Sequence, residues 1–119
     1  MNTPSPTEIT LHQKSRTLEI AFDDGTRFHL PCEYLRVHSP SAEVRGHGPG
    51  QEILQVGKER VAITGIRPVG LYGICPSFSD GHDSGIFTWD YLHELGAQQS
   101  QLWDDYLTKL AAAGHVRQV

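Results

Sequence analysis

The stretch of this chain best equipped for chemistry is Asp80-Gly81-His82-Asp83-Ser84, with His38 and His47 in an earlier loop as further nitrogen donors. Two imidazoles and a carboxylate can hold a divalent iron or zinc ion and leave coordination positions open, so His82, Asp83, Asp80, His38 and His47 are the candidate metal ligands. Adjacency of His82 and Asp83 does not by itself make them converge on one ion, and His38 and His47 reach them only if the earlier loop folds back. The competing reading is structural. Asp80-Gly81 makes a turn, His82 donates to a backbone carbonyl, and Asp83 or Ser84 caps the turn ahead of a helix.

Other reactive groups carry less. Cys32 follows Pro31 and Cys75 sits in an apolar run, neither with a histidine at a spacing that implies thiolate activation, so buried cysteines are expected. Ser84 precedes Gly85, but a nucleophile elbow needs glycine two residues before the serine, where His82 stands. Trp89, Tyr91 and Trp103 recur with leucines at helical spacing and read as core rather than as stacking platforms. Two readings stand for Arg36, Glu43 and Arg45: a polar surface offered to a partner, or ion pairs that pin the loop internally.

The elements that must position these residues are readable from periodicity. Ile9 and Leu11, then Leu18, Ile20 and Phe22, then Phe28 and Leu30 alternate with polar residues, which predicts three antiparallel strands. A two-residue loop at Asp24-Gly25 would set Phe22 opposite Arg27 and Ile20 opposite His29, mixing the faces. A three-residue loop, Asp23-Asp24-Gly25, sets Ile20 opposite Phe28 and Leu18 opposite Leu30, and is the predicted one. After Pro31, taken as the first helical position, CEYLRVHS predicts a short helical turn. Residues 39–50, SPSAEVRGHGPG, read as a long loop, and loops of about twelve residues are often functional. VAITGIRPV and YGICPSF predict two strands joined at Gly70, with Pro68 and Pro76 at strand ends or bulges. Thr88 can cap a helix carrying Trp89, Leu92 and Leu95 that stops at Gly96. A second helix carries Leu102, Trp103, Tyr106, Leu107 and Leu110 and ends at Gly114. The expected fold class is α+β: an antiparallel β-sheet with one or two C-terminal helices packed on it.

The 119 residues fit one domain, expected over 7–119 behind a frayed polar stretch at 1–6. With 38% hydrophobic and 20% charged residues the chain can bury a core. A net charge of −4 with scattered cations argues against nucleic acid as partner. No run approaches the roughly 20 apolar residues that cross a bilayer. Two cysteines without a CxxC pair, and no signal-type segment after MNTPSPTEIT, place the chain in a reducing cytoplasm, with a single disulfide left open.

Three segments, LPCEYLRVHSPSAEVRGHGPG, VAITGIRPVGLYGICPSFSDGHDSGIFTWDYLHEL and the DDG-centred hairpin before them, together resemble the gamma-butyrobetaine hydroxylase-like N-terminal domain family. LRVHSPSAEVRGH and DGHDSGIFTWDYL are the most specific pieces, and the resemblance spans Thr7 to Leu110. It implies one of three settings: a small stand-alone bacterial protein of unknown function, a domain appended to an iron-sulfur cluster carrier ATPase of the P-loop type, or the front domain of a carnitine-synthesis oxygenase. The chain has no GKS or GKT phosphate loop and lacks the length for an oxygenase barrel, so hydroxylase activity does not carry over. In the eukaryotic oxygenases the domain resembles a zinc module. Aligning Leu35-Arg36 with its Leu-Arg pair places the three zinc cysteines on Ser39, Ser41 and Val44 and the histidine on His82, so three of four ligands are gone.

Two functions follow as expectations. The first is a non-catalytic accessory or adaptor domain with a protein partner, which the resemblance links to iron-sulfur cluster assembly or metal handling. The second is a small metal-binding protein or metal-dependent enzyme built on His82 and its neighbours, with iron or zinc as cofactor. A homodimer through the edge of the first hairpin is a further expectation, opposed by the charges of Lys14 and Arg16.

Overall fold

The computed structural model describes residues 4–46 and 50–118, so His47, one of the candidate ligands, lies outside the described residues. The first sheet is a meander of β1 (Pro6–His12), β2 (Thr17–Phe22) and β3 (Arg27–Pro31) in the order β1-β2-β3. Its register sets Leu18 opposite Leu30 and Ile20 opposite Phe28, the pairing that only a three-residue loop allows. Gly25 takes the left-handed backbone (φ 89°) that closes this loop. The β1–β2 turn uses a non-glycine for the same purpose: Arg16 has φ 52°, and its carbonyl accepts from Cys32 N–H at 2.8 Å. Lys14 and Arg16 thus belong to that turn rather than to the β1 edge. The backbone is tied down from Ser5, whose N–H donates to Asp23 Oδ1 at 3.1 Å.

A second antiparallel sheet holds β4 (Ile63–Val69), β5 (Gly73–Phe78) and the two-residue β6 (Phe87–Thr88), in the order β4-β5-β6. The strands therefore divide into two small sheets instead of joining one. Pro68 sits next to the end of edge strand β4, as expected. Pro76 does not sit at an end: it stands inside β5 opposite Ile66, where β6 no longer reaches and β5 has one strand neighbour, so the missing N–H is tolerated.

Helix α1 (Cys32–Val37) begins with the expected CEYLRVHS segment, but Pro31 is its N-cap rather than its first helical residue, because Pro31 still pairs with Thr17. The expected loop at 39–50 contains a further helical turn, α2 (Ala42–Arg45), whose first turn is capped by Ser41 Oγ accepting from Glu43 N–H at 3.2 Å. Thr88 caps α3 (Trp89–Ala97) by accepting from Tyr91 N–H at 3.2 Å. Helix α4 (Gln99–Ala112) ends ahead of Gly114, which has φ 79°.

Both sheets, α1 and α3 share one core. Leu18, Ile20 and Leu30 meet Ile63, Ile74 and Phe87 there, with Leu35, Leu92 and Leu95 closing it. Each such side chain contributes about 1.5–3 kcal/mol by leaving water. Tyr34 lies in the same core and donates its hydroxyl to Leu95 O at 2.6 Å, tying α1 to α3. Burial pushes that phenol far above its ordinary range, so it stays a donor. The C-terminal tail is fastened to α1: Arg117 donates Nε–H and Nη2–H to the two oxygens of buried Glu33, at 3.0 and 2.5 Å, with its guanidinium 5.2 Å from the centre of the Trp103 ring.

Gly96 does not stop α3, which runs one residue past it. The glycine is there for space, since a Cβ would overlap the Phe28 ring of β3. Alanine should gain up to ~1 kcal/mol of helix propensity but lose more by displacing that ring, so we expect Gly96→Ala to destabilise by about 1–2 kcal/mol in urea unfolding. A stabilised variant would show that Phe28 has room to move.

Candidate functional site

The candidate site is the seam between the 38–46 segment and the 78–85 turn, and its centre is His82. Gly81, with φ 92°, and its N–H donating to Phe78 O at 3.0 Å close the expected turn. Asp80 Oδ1 accepts from His82 N–H at 3.2 Å, and His82 O accepts from Phe78 N–H at 2.9 Å. This leaves the imidazole as the only free part of His82, and it points inward, with the residue 5% exposed.

The ring does not donate to a backbone carbonyl as the turn reading supposed. Nδ1 lies 2.7 Å from Glu43 Oε2 and Nε2 lies 2.8 Å from Ser39 Oγ. The carboxylate can only accept, so Nδ1 donates, and Nε2 is hydrogen-bonded to the Ser39 hydroxyl. Ser39 is fully buried and also accepts from Ser41 N–H at 3.3 Å. Beside this row, Ser41 Oγ and Ser84 Oγ are 2.7 Å apart. Gly85 must be glycine for Ser39 to fit, because a Cβ there would overlap Ser39 Oγ.

A second charged row lies alongside. Asp80 Oδ2 accepts from Arg36 Nε at 2.9 Å and from Lys58 Nζ at 2.6 Å. Burial alone would raise the Asp80 carboxyl, but the hydrogen bonds from Lys58, His82 N–H and Arg36 outweigh it and hold the group at about 2. Arg36 is itself buried, and its Nη1 has no hydrogen-bond partner among the described residues.

The predicted ligands are thus distributed. The structure brings Asp80 and His82 together in one turn, but both nitrogens of His82 are engaged, and Asp80 is neutralised by two cations. Asp83 is exposed and contributes its carbonyl, which accepts from Cys75 Sγ at 3.0 Å. Cys75 and Cys32 are both buried and unpaired. His38 faces elsewhere, with Nδ1 2.9 Å from Tyr34 O. Among the described residues no three His, Cys, Asp or Glu side chains are grouped to hold a metal.

The residues at the zinc positions of the resembled oxygenase domains do not fit zinc either. Ser39, Ser41 and Val44 supply no thiolate, and the Nε2 of His82 that a metal would need is spent on Ser39. A hydrogen-bonded serine-histidine-glutamate row occupies this seam, and it does mechanical work: it fastens the α1–α2 segment to the turn after β5. Sequence reasoning set Ser39 beside His82 only as a lost zinc position of the resembled module, and it split Glu43 from His82. The signal that could have found Glu43 is Ser41 followed by Glu43, the start of a capped helix, which fixes Glu43 in the first turn, where its exposed side chain reaches across the seam to His82.

Fold and site together define a small sheet-and-helix domain whose central His82 is hydrogen-bonded between Ser39 and Glu43. The comparisons agree on its class. The model of the family "Gamma-butyrobetaine hydroxylase-like, N-terminal" matches residues 9–93, and the chain belongs to that family. None of the curated proteins matches it. It is similar to two proteins solved in solution by NMR. One is 51% identical with a TM-score of 0.84, covering 98% of this chain and 91% of the other; the second is 48% identical with a TM-score of 0.83, covering 98% and 86%. A crystal structure of a protein of unknown function of the DUF971 family, from Acidithiobacillus ferrooxidans ATCC 23270, is 41% identical with a TM-score of 0.66 over 78% of this chain and 93% of that one. No helix among the described residues is long and apolar enough to cross a membrane.

Proposed function

We propose that the chain is a non-catalytic accessory domain that docks onto a protein partner through the tip of the β4–β5 hairpin, in iron-sulfur cluster assembly or metal handling. The observation that carries this reading is Leu71, which is 96% exposed at the tip beside half-exposed Tyr72. Single exposed leucines are common on protein surfaces, and what sets Leu71 apart is its support. This one sits on a fixed backbone: Trp89 donates Nε1–H to Leu71 O at 2.8 Å and N–H to Tyr72 O at 3.0 Å. A rigid protruding leucine with a neighbouring tyrosine has little ordering entropy left to lose and suits a concave apolar pocket on another protein. The metabolic setting rests on the family's association with iron-sulfur carrier proteins and is an association, not chemistry.

The Ser39–His82–Glu43 row has the order of an acyl-transfer triad, yet its hydroxyl is fully buried and packed against the Gly85 backbone, so substrate has no approach to it. That favours a positional role.

Leu71→Asp is the test, since an exposed tip tolerates the change without loss of fold. Co-purification from the source cell should recover an iron-sulfur assembly protein or iron enzyme with the wild-type chain. The variant should hold it at least tenfold more weakly, the ~1.4 kcal/mol or more of a hot-spot anchor. Recovery unaffected by the substitution would sink the tip as the contact. A wild-type dimer that Leu71→Asp turns to monomer would make the partner a second copy. Stoichiometric iron or zinc retained by the wild type and lost in His82→Ala would replace the adaptor reading with the metal-binding one.

A further inference from the structure

Away from the hairpin tip, a cleft of about 430 Å³ opens between residues 37–45 and 52–55 on one side and the helices α3 and α4 on the other. Its size lies in the range of small-molecule sites. Val37, Val44, Leu54 and Leu102 supply an apolar lining, and His38, Arg45 and Lys109 bring polar groups to it. Tyr91 and Tyr106 also line it, but their hydroxyls are already donated to His38 O at 2.5 Å and Gln55 O at 2.7 Å, so they offer ring surface.

Three groups at this cleft are open to a ligand, two of them the exposed cations Arg45 and Lys109. His38 Nδ1 faces the Tyr34 carbonyl, which can only accept, so Nδ1 carries the proton and Nε2 keeps a lone pair without a partner among the described residues. Burial, with the nearby Lys109 and Arg45 charges, outweighs that hydrogen bond and holds the imidazole pKa below its ordinary value, so the ring is a neutral acceptor at pH 7. Arg45 lies over the Tyr91 ring, 5.0 Å from its centre, and among the described residues neither Arg45 nor Lys109 makes an ion pair.

Two carboxylates, Glu52 and Asp105, also border the cleft. They balance the two cations, so the field suits a single negative charge placed directly on a guanidinium and disfavours a polyanion.

We propose that this cleft binds a small monocarboxylic acid with an apolar body and one hydrogen-bond donor. Its carboxylate pairs with Arg45, its body lies on Val37, Val44, Leu54 and Leu102, and its donor reaches His38 Nε2. Arg45 is the better partner, because its planar fork can take both oxygens of a carboxylate.

4-Hydroxyphenylacetate is a suitable probe, with phenylacetate as the same body lacking the hydroxyl and citrate as a polyanion. NMR titration of the full chain should give saturable shifts at His38 and Tyr91 with 4-hydroxyphenylacetate, at least tenfold weaker binding of citrate, and intermediate binding of phenylacetate. Arg45→Ala, at a site outside the core, should weaken both aryl acids about tenfold or more. His38→Phe should erase the preference for the hydroxylated acid and leave phenylacetate affinity unchanged, a pattern that general loosening of the cleft would not produce. No saturable shift at His38 or Tyr91 with millimolar probe, or equal binding by the wild type and Arg45→Ala, overturns the proposal.

Discussion

Asp80→Ala should lower the unfolding free energy by about 3 kcal/mol. The carboxylate is the acceptor for Arg36 Nε and Lys58 Nζ. Lys58 can turn to water, but Arg36 lies buried with Nη1 already unpartnered among the described residues, so loss of Asp80 leaves most of a guanidinium desolvated and uncompensated. Breaking a buried pair from one side costs about 3–5 kcal/mol, and the lower end applies because Asp80 is a quarter exposed. The same carboxylate ties stability to acid. Its pKa in the folded chain is about 2, against the ordinary 3.8, so ionised Asp80 favours the folded state. That contribution is complete above about pH 4 and disappears as pH falls through about 2, and it amounts to no more than ~2 kcal/mol once solvent screening is allowed for. Urea unfolding at steps between pH 5 and 2 should therefore show a wild-type decline that is shallower in Asp80→Asn. Parallel curves for the two proteins would mean that Asp80 is not held ionised by its neighbours.

The second large effect belongs to His82. His82→Ala removes the hydrogen-bond partner of a fully buried Ser39 hydroxyl and the donor to Glu43, and leaves a cavity in the seam. An orphaned buried hydroxyl costs about 1–3 kcal/mol and the cavity adds to it, so about 3 kcal/mol is expected, seen as a fall of roughly 10 °C or more in Tm. Ser39→Ala should then be less costly in the His82→Ala background than in the wild type, because it deletes the orphaned group. Strict additivity of the two substitutions would show that the serine and the imidazole are not coupled. The loss should be the same with and without chelator, since the seam is held by hydrogen bonds.

Particular residues show why some of this was legible in the sequence. The three-residue loop at 23–25 could be chosen because one slip would have put His29 and Arg27 opposite core residues, and the register follows that choice strand by strand. Helix α4 was legible for the same reason, its period being sustained over several turns. Local pattern failed where tertiary contact decides. Gly96 reads as a helix stop, and only the Phe28 ring across from it reveals a demand for space. Pro76 reads as a strand end, and only the shortness of β6 explains its place inside β5. Within the site, the turn at Asp80-Gly81 follows from local chemistry, whereas the Ser39–His82–Glu43 row joins residues about forty positions apart and leaves no periodic trace. Among the described groups most suggestive of metal chemistry, His82 and Asp80 are engaged in such long-range bonds, His38 faces a different cleft, and the Asp83 side chain is exposed.

The fastening of Arg117 to Glu33 gives the last residues of the described chain an influence out of proportion to their position. A terminal tail commonly frays independently of the body it trails from, and exopeptidases shorten it harmlessly. Here the buried carboxylate of α1 receives its hydrogen bonds from Arg117 alone among the described residues. Trimming the tail past that arginine would strand a charge inside the protein, so digestion and global unfolding become one coupled event rather than two separate ones.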